Sequence, residues 1–452
     1  MIYLSSIIFT FVLILFILFF KSKDDNLFSP LILAILIIFV TNIPYILYIA
    51  SDFNIIYRQV LNFIPLSRVP TALFKYLFLL LLGTLSMAIG IKSEISNQLG
   101  NKIKVLFTNE SYKRFRISAI LFLILGFFSY LIFFNQVGGF QNWLNNLSLR
   151  ASVTSGSGYL MILMGLTEIG VFAYISTFKY KNTRLRRVRL YSLIIFVALL
   201  LSSLGGRKGT LFFIIICVMV WTFKVGKVKR LPFKFLISLP ILLTYILVVP
   251  IIRSSENINE YIADPQIVLE EAVEDFGTIS KEISYVDHQL LIMDRFDDVE
   301  DLWLGKSFLD LLFAPLPSSI FEDKPPIDDG VYIRTIAEGV KVQPQTSYKK
   351  LYQSSWPPET FGTMYLNFSW LGVIVGMYLL GMMYSIAYRY MIKSNYSLFS
   401  ILVYANIIIN FQLSNLRIVQ TVSEVATLVL VSFMFYSKFA TIKKSKHSKP
   451  MD

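Results

Sequence analysis

"ALLLSSLGGRKGTLFFIIICV", residues 198–218, is apolar at both ends and polar in the middle. The flanks read as helix. Between them, Gly205-Gly206-Arg207-Lys208-Gly209 places two positive charges among three residues that weaken a helix. What this interruption means depends on whether the flanks stand alone or belong to a series.

They belong to a series. The chain of 452 residues is 55% hydrophobic and 16% charged, where soluble domains average about 25% charged, and its mean hydropathy is +0.62. Apolar runs occupy 2–20, 28–50, 71–91, 117–134, 159–178, 190–204, 210–223, 235–252, 363–387, 396–413 and 420–438. Runs of ~20 residues cross the ~30 Å hydrocarbon core as helices, and no soluble fold buries this many uniformly apolar helices. The sequence therefore predicts an all-α polytopic membrane protein with about 11 transmembrane helices. It divides into a bundle over 1–252, a large loop over 253–362, and a C-terminal part over 363–452 that ends in a basic tail.

Charge sets the expected orientation. Basic residues cluster at Lys21/Lys23, 92–116, 179–189, 224–234, Arg389/Lys393 and 438–449, which are alternate junctions between spans. The positive-inside rule makes those junctions cytoplasmic, with the N-terminus outside and the C-terminus inside. The first run lacks the basic start and small-residue cleavage site of a signal peptide and is counted as a span. The net charge of +13 then reflects topology and anionic lipid, not nucleic acid, which needs a soluble basic face with aromatic platforms. The single cysteine, Cys217, excludes an intrachain disulfide, and two histidines are too few for a histidine-rich metal centre.

The loop 253–362 differs from the rest. It holds 21 acidic and 9 basic residues, and a segment this long inside a compact protein is expected to fold. Asp264-Pro265 reads as a helix start. Ile279, Ile283, Val286, Leu290 and Met293 recur at helical spacing, which puts His288 on the polar side of that helix. "LWLGKSFLDLLF" (302–313) is expected to present Trp303, Leu304, Phe308, Leu311 and Leu312 on one side, against membrane or bundle. "APLPSSIFEDKPPIDDG" is a proline-punctuated loop. No internal repeat is seen.

In this topology Gly205–Gly209 is an outer turn between two short spans of about 15 and 14 residues, each reaching only ~21–23 Å. The turn is thus expected below the outer surface, with Arg207 and Lys208 partly sunk in the membrane, where an ionisable group marks a functional site by default. Glycine backbone and an arginine fork suit phosphate oxygens. Arg150, Arg253, Arg334 and Arg417 fall on the same side, and together they predict a positive basin fit for a pyrophosphate, with no metal or other cofactor called for. Each could equally be an ion-pair partner or, for Arg207 and Lys208, reach for lipid headgroups.

On the acidic side, Glu359 stands just before the ninth span, stiffened by Pro357-Pro358, and is the candidate general base, with His288 second. An acid stabilising a helix N-terminus is the competing reading. Glu168 and Glu424 are intramembrane carboxylates that pair with an arginine or mark a proton path. The first outer loop offers only Asp52, without the acidic pair of metal-dependent sugar transfer, and no nucleotide-binding or hydrolase motif occurs.

These features resemble the oligosaccharide repeat-unit polymerases, the O-antigen polymerase (Wzy) family. The likeness covers the topology over nearly the whole chain and three short stretches. "LSSLGGRKGTLFF" resembles a Gly-Ser-Arg-Gly run after an apolar helix. "FAPLPSSIFEDKPP" resembles a proline-rich segment with a Lys-Pro pair. "PPETFGTMYLNFSWLGVIVGM" resembles a Gly-x-x-Tyr-x-Asn-Phe-Gly passage into a helix. "RASVTSGSGYL" fits more weakly. The chain departs from the pattern at Gly362-Thr363, where many members read Gly-Glu, and at Ser369, where glycine is common.

The resemblance implies a GT-C-like helical architecture at the bacterial inner membrane. There, a growing glycan passes from one undecaprenyl-pyrophosphate carrier to the terminal sugar on another. It implies membrane lipids and a chain-length regulator as neighbours, and the loop as a periplasmic lid or glycan-binding wall using Tyr332, Tyr348, Tyr352 and Trp356. Arg207 with Arg150, Arg253 or Arg417 would hold the donor diphosphate, helped by Lys208, and Arg334 the acceptor's. A lipid-linked oligosaccharide flippase and an O-antigen ligase are the alternatives.

Overall fold

The computed structural model describes residues 27–51, 63–107, 110–146, 158–178, 184–204, 207–226, 284–296, 298–316 and 323–436, with isolated positions among 6–12, 266–280 and 320–321. The expected spans at 2–20 and 235–252 fall mostly or wholly outside these residues. So do Arg150, Arg253, the start at Asp264-Pro265, Ile279 and Ile283, and only the backbone of Arg207 and Lys208 is described.

All regular structure among the described residues is helical. The helices are α1 (Pro30–Ser51), α2 (Val69–Lys92), α3 (Glu94–Lys102), α4 (Tyr112–Gln136), α5 (Phe140–Asn145), α6 (Gly158–Ser176) and α7 (Arg184–Ser203). Next come α8 (Arg207–Val220, continued by a π-helical turn over Trp221–Gly226), α9 (Val286–Arg295), α10 (Asp329–Ala337), α11 (Glu359–Lys393), α12 (Leu398–Asn410) and α13 (Asn415–Phe435). Six of them, α1, α2, α4, α6, α11 and α13, are long and apolar enough to cross a membrane. Among the described residues the protein is all-helical, and its long apolar helices are those of a membrane-embedded protein.

Small residues set the helix pairs. α2 and α11 run side by side in the same direction. A Cβ on Gly90 would stand 2.2 Å from the Tyr378 carbonyl oxygen, one on Gly381 would stand 2.2 Å from that of Met87, and Ser86 Oγ donates to the Ile374 carbonyl at 2.6 Å. Backbones this close need glycine, the usual solution where lipid offers no hydrophobic drive between helices. α4 and α6 pack antiparallel in the same manner, Gly126 against Thr167 and Gly170 against the Ala119 carbonyl.

The bundle has two distinct ends. At one, Glu110 pairs with Lys224 and accepts from the Leu398 amide at 3.0 Å and the Tyr436 hydroxyl at 3.2 Å. Lys393 Nζ reaches the Ile103 carbonyl at 2.8 Å. The opposite end carries the 284–358 lobe, whose α9 packs on α1 and α2.

Three expectations are corrected here. α7 spans 20 residues, and the 14 residues of α8 run on through 6 more of π-helix. Arginine and lysine ended the apolar count but not the helix, because both are good helix formers whose long side chains reach headgroups. Arg207 and Lys208 lie in the first turn of α8 and not in a non-helical turn. The 302–313 stretch has no single apolar side. Trp303 is buried, while Leu304 and Leu312 are 70% and 73% exposed. Gly305, at φ +86°, breaks the run, and a 3-10 helix follows over Lys306–Phe313. Its period of three turns Ser307 and Asp310 inward. α9 is not an amphipathic surface helix either, since Val286, Asp287, Gln289, Leu290, Leu291, Ile292, Met293 and Asp294 are all buried. His288 there is half-buried.

Candidate functional site

The site begins with a break in α11. Phe368 lies at φ −139°, ψ 18° and Ser369 at φ 55°, ψ −152°, a region essentially reserved for glycine. The break is a fold-back. A Cβ on Gly372 would come within 2.3 Å of the Met364 carbonyl oxygen, and one on Gly376 within 2.3 Å of Met364 Cγ. In a straight helix at ~1.5 Å per residue, Met364 and Gly376 would be about 18 Å apart. Residues 359–367 therefore form a short arm, α11a, lying against the first turns of the long helix, α11b (370–393).

The tip of this hairpin is satisfied by the lobe. The Trp303 amide donates to the Leu366 carbonyl and the Leu304 amide to that of Asn367, each at 3.0 Å. Asn367, fully buried, accepts from the Gly305 amide at 3.0 Å and donates to Ser307 Oγ at 2.9 Å and the Thr363 carbonyl at 2.9 Å. Carbonyls freed by a broken membrane helix must find such partners.

Folding back carries Glu359 into the bundle. It was expected at the lip of the ninth span, yet its charge acts on both Tyr76 of α2 and Tyr384 of α11b, although Tyr384 would lie about 37 Å away along a straight helix. The surroundings are polar. Tyr76 Oη donates to Asn42 Oδ1 at 2.6 Å, and Tyr384 Oη donates to the Phe411 carbonyl at 3.2 Å. Thr360 Oγ1 donates to Gln412 Oε1 at 2.5 Å and accepts from the Leu413 amide at 2.7 Å. Glu359 itself has φ +52°, an uncommon backbone for glutamate. A partly buried carboxylate with phenols and amides near it can orient a hydroxyl and take its proton.

His288 and Arg334 belong to the layer above. His288 Nδ1 lies 3.2 Å from the Pro357 carbonyl, and its ring stacks on Trp356 at 5.7 Å and 11°. Arg334 stands over the rings of Trp356 at 4.3 Å, Tyr352 at 4.5 Å and Phe63 at 5.5 Å, and pairs with Glu338. With 14% of its side chain exposed, it is a braced cation. Arg417 sits in the first turn of α13 and donates to Gln420 Oε1 at 3.0 Å. Tyr332 is fully buried and Trp356 nearly so, whereas Tyr348 and Tyr352 are exposed, so these aromatics form no common platform.

Beneath the lobe surface lies a buried acid pair. Asp310 accepts from Tyr332 Oη at 2.8 Å, and Asp329 accepts from Asn415 Nδ2 at 3.1 Å. Burial pushes the Asp310 carboxyl up to about 6 and that of Asp329 well above the usual carboxylate range. On the lobe exterior a cleft of about 500 Å³ is lined by Glu300, Asp301, Lys341, Gln343, Thr346 and Lys350 among others. Among the described residues, no three His, Cys, Asp or Glu side chains are grouped as metal ligands.

Asn42, Tyr76, Tyr384 and Gln412 did not stand out in the sequence. The signal was present, since amides and phenols inside apolar runs are the positions a polar site would use. No family model matches the chain, and neither curated proteins nor solved structures provide a match.

Proposed function

We propose that this protein is a glycosyltransferase that polymerises undecaprenyl-pyrophosphate-linked oligosaccharide repeat units, as the sequence resemblance implies, at the periplasmic face of a bacterial inner membrane. The observation that carries the reading is the fold-back of α11, which brings Glu359 among the phenols of Tyr76 and Tyr384 beneath the acidic lobe. Glu359 takes the proton of the acceptor sugar's hydroxyl. That oxygen attacks the anomeric carbon of the donor glycan. The bond to the diphosphate breaks, and the diphosphate leaves with its electron pair. Basic side chains neutralise the leaving charge, Arg207 first, so no metal is called for; such stabilisation is commonly the largest catalytic contribution. The lobe cleft, lined by carboxylates, lysines, an amide and a hydroxyl, suits a glycan chain.

The test is the ladder of lipid-linked chain lengths in cells. Loss of the protein should leave single repeat units outside the membrane, and Glu359→Gln, expressed at normal level, should do the same. A full ladder from Glu359→Gln removes the base; a full ladder from Arg207→Ala removes that arginine.

The broken helix favours a second reading, a flippase, because discontinuous helices build transport sites near the bilayer centre. A further polar contact fits it: Asn410 Nδ2 of α12 lies 3.4 Å from Glu424 Oε2 of α13, at an exposed position, and Glu424 lies within electrostatic reach of Glu168. A flippase defect would leave repeat units on the cytoplasmic side.

A further inference from the structure

The structure assigns a diphosphate-binding rim to Arg68, Lys75 and Arg295, which gather around Asp294 where α2 meets the lobe. Arg68 Nε lies 2.8 Å from Asp294 Oδ1, and its Nη2 donates to the Asp294 carbonyl at 2.9 Å. Arg295 Nε stands 3.9 Å from Asp294 Oδ2 while its Nη2 reaches the Phe63 carbonyl at 3.1 Å. Lys75 donates to the Met293 carbonyl at 3.3 Å and rests 5.0 Å from the centre of the Tyr365 ring. All three cations act on Asp294, and Asp298 is the other carboxylate in range.

Three features make this a binding site and not a solvated ion-pair cluster. First, cations outnumber the carboxylate they surround, and Asp294 is 3% exposed against 42% for Arg68 and 28% for Arg295. The Asp294 charge is inside and the arginine charges face out, and with the exposed Asp298 counted the three cations still exceed the two carboxylates by one. Second, Lys75 lies within a membrane-crossing helix and, among the described residues, has no carboxylate partner at ion-pair distance. It engages one carbonyl and a ring face, which leaves ammonium donors for a ligand. Third, the rim is joined to the base through the short arm of α11. Tyr76 follows Lys75 and senses Glu359, and Tyr365 belongs to the same short arm as Glu359. Two guanidinium groups and an ammonium at the start of a membrane helix, where headgroups lie, match a doubly charged diphosphate better than a neutral sugar.

This inference rests on the proposed reading for the identity of the ligand, but its test does not. Full-length protein in nanodiscs would be titrated with undecaprenyl diphosphate, with inorganic diphosphate, and with rising phosphatidylglycerol as competitor. Losing one charge-assisted contact should weaken binding of the lipid diphosphate about 10- to 100-fold in Lys75→Met. Arg295→Gln should weaken it in the same direction, while Lys75→Arg retains most of the affinity. Thermal melts of each variant guard against misfolding. Inorganic diphosphate that competes shows the headgroup is what binds. Wild-type affinity in both Lys75→Met and Arg295→Gln, or displacement by phosphatidylglycerol as effective as by diphosphate, overturns the site. If the rim binds diphosphate while a strain lacking the protein still makes a full ladder, the rim stands and polymerisation falls.

Discussion

Ser369 carries a local backbone cost at the break in α11. At φ 55°, ψ −152° its Cβ crowds the backbone, a strain of about 1–3 kcal/mol for a residue that is not glycine. Ser369→Gly should therefore raise the melting temperature in detergent, and Ser369→Val should lower it; a Val variant as stable as wild type would show the fold-back is not needed. Asp310 gives a second prediction at this scale. Its folded carboxyl holds its proton up to about 6, against 3.8 for the free group. Between those values the folded state binds more protons than the unfolded one, so stability from this group falls as pH rises from about 4 to about 6 and is level above. Replacing the carboxyl with Asp310→Asn should flatten that part of the pH–melting curve, leaving the contribution of Asp329. An unchanged curve would place the titration elsewhere.

Helix pairing is decided by where glycines meet backbone. Gly90→Ala puts a methyl 2.2 Å from the Tyr378 carbonyl, and overpacking of this kind costs about 1–3 kcal/mol. Gly165→Ala meets nothing within 4 Å in the middle of α6, where it should stabilise by about 0.5–1 kcal/mol through helix propensity. Melting the two variants side by side checks the α2–α11 contact, and equal stabilities would refute it. The same elements show how far the sequence could be read. Long apolar runs located α1, α2, α4, α6, α11 and α13, because burial in lipid needs only composition and length. The break in α11 was hidden: "YLNFSWLG" has no proline, and its one glycine, Gly372, comes after the bend. What forces the turn is the distant 303–307 segment hydrogen-bonding to it. Of the candidate site, Glu359, His288 and Arg334 were legible as charged or titratable groups at one end. Arg68 and Arg295 lie outside the apolar runs and Lys75 is a single charge inside one, so no pattern in the sequence joins the three.

At the scale of the molecule, the two ends differ in chemistry, and the proposed function requires that difference to be a sidedness. Lys92, Lys102, Lys104, Arg114, Arg116, Arg184, Arg187 and Arg189 all lie at or beside the end tied by Glu110, away from the acidic lobe. Positive residues near span ends stay cytoplasmic because translocating them is costly, so the lobe end should face outward. Cys217 is the single cysteine and is buried, so Cys217→Ala gives a background for labelling. Cysteines placed at Lys349, in the exposed lobe, and at Lys102, at the far end, would be challenged in intact cells with a membrane-impermeant maleimide. Lys349→Cys should label before lysis and Lys102→Cys only after it. The reverse pattern would put the lobe, the cationic rim and Glu359 on the cytoplasmic side, where a carrier already translocated could not reach them, and neither polymerisation nor ligation could proceed there. Labelling of both before lysis would mean that the apolar helices do not seal the two ends from each other, contrary to a bundle crossing the bilayer.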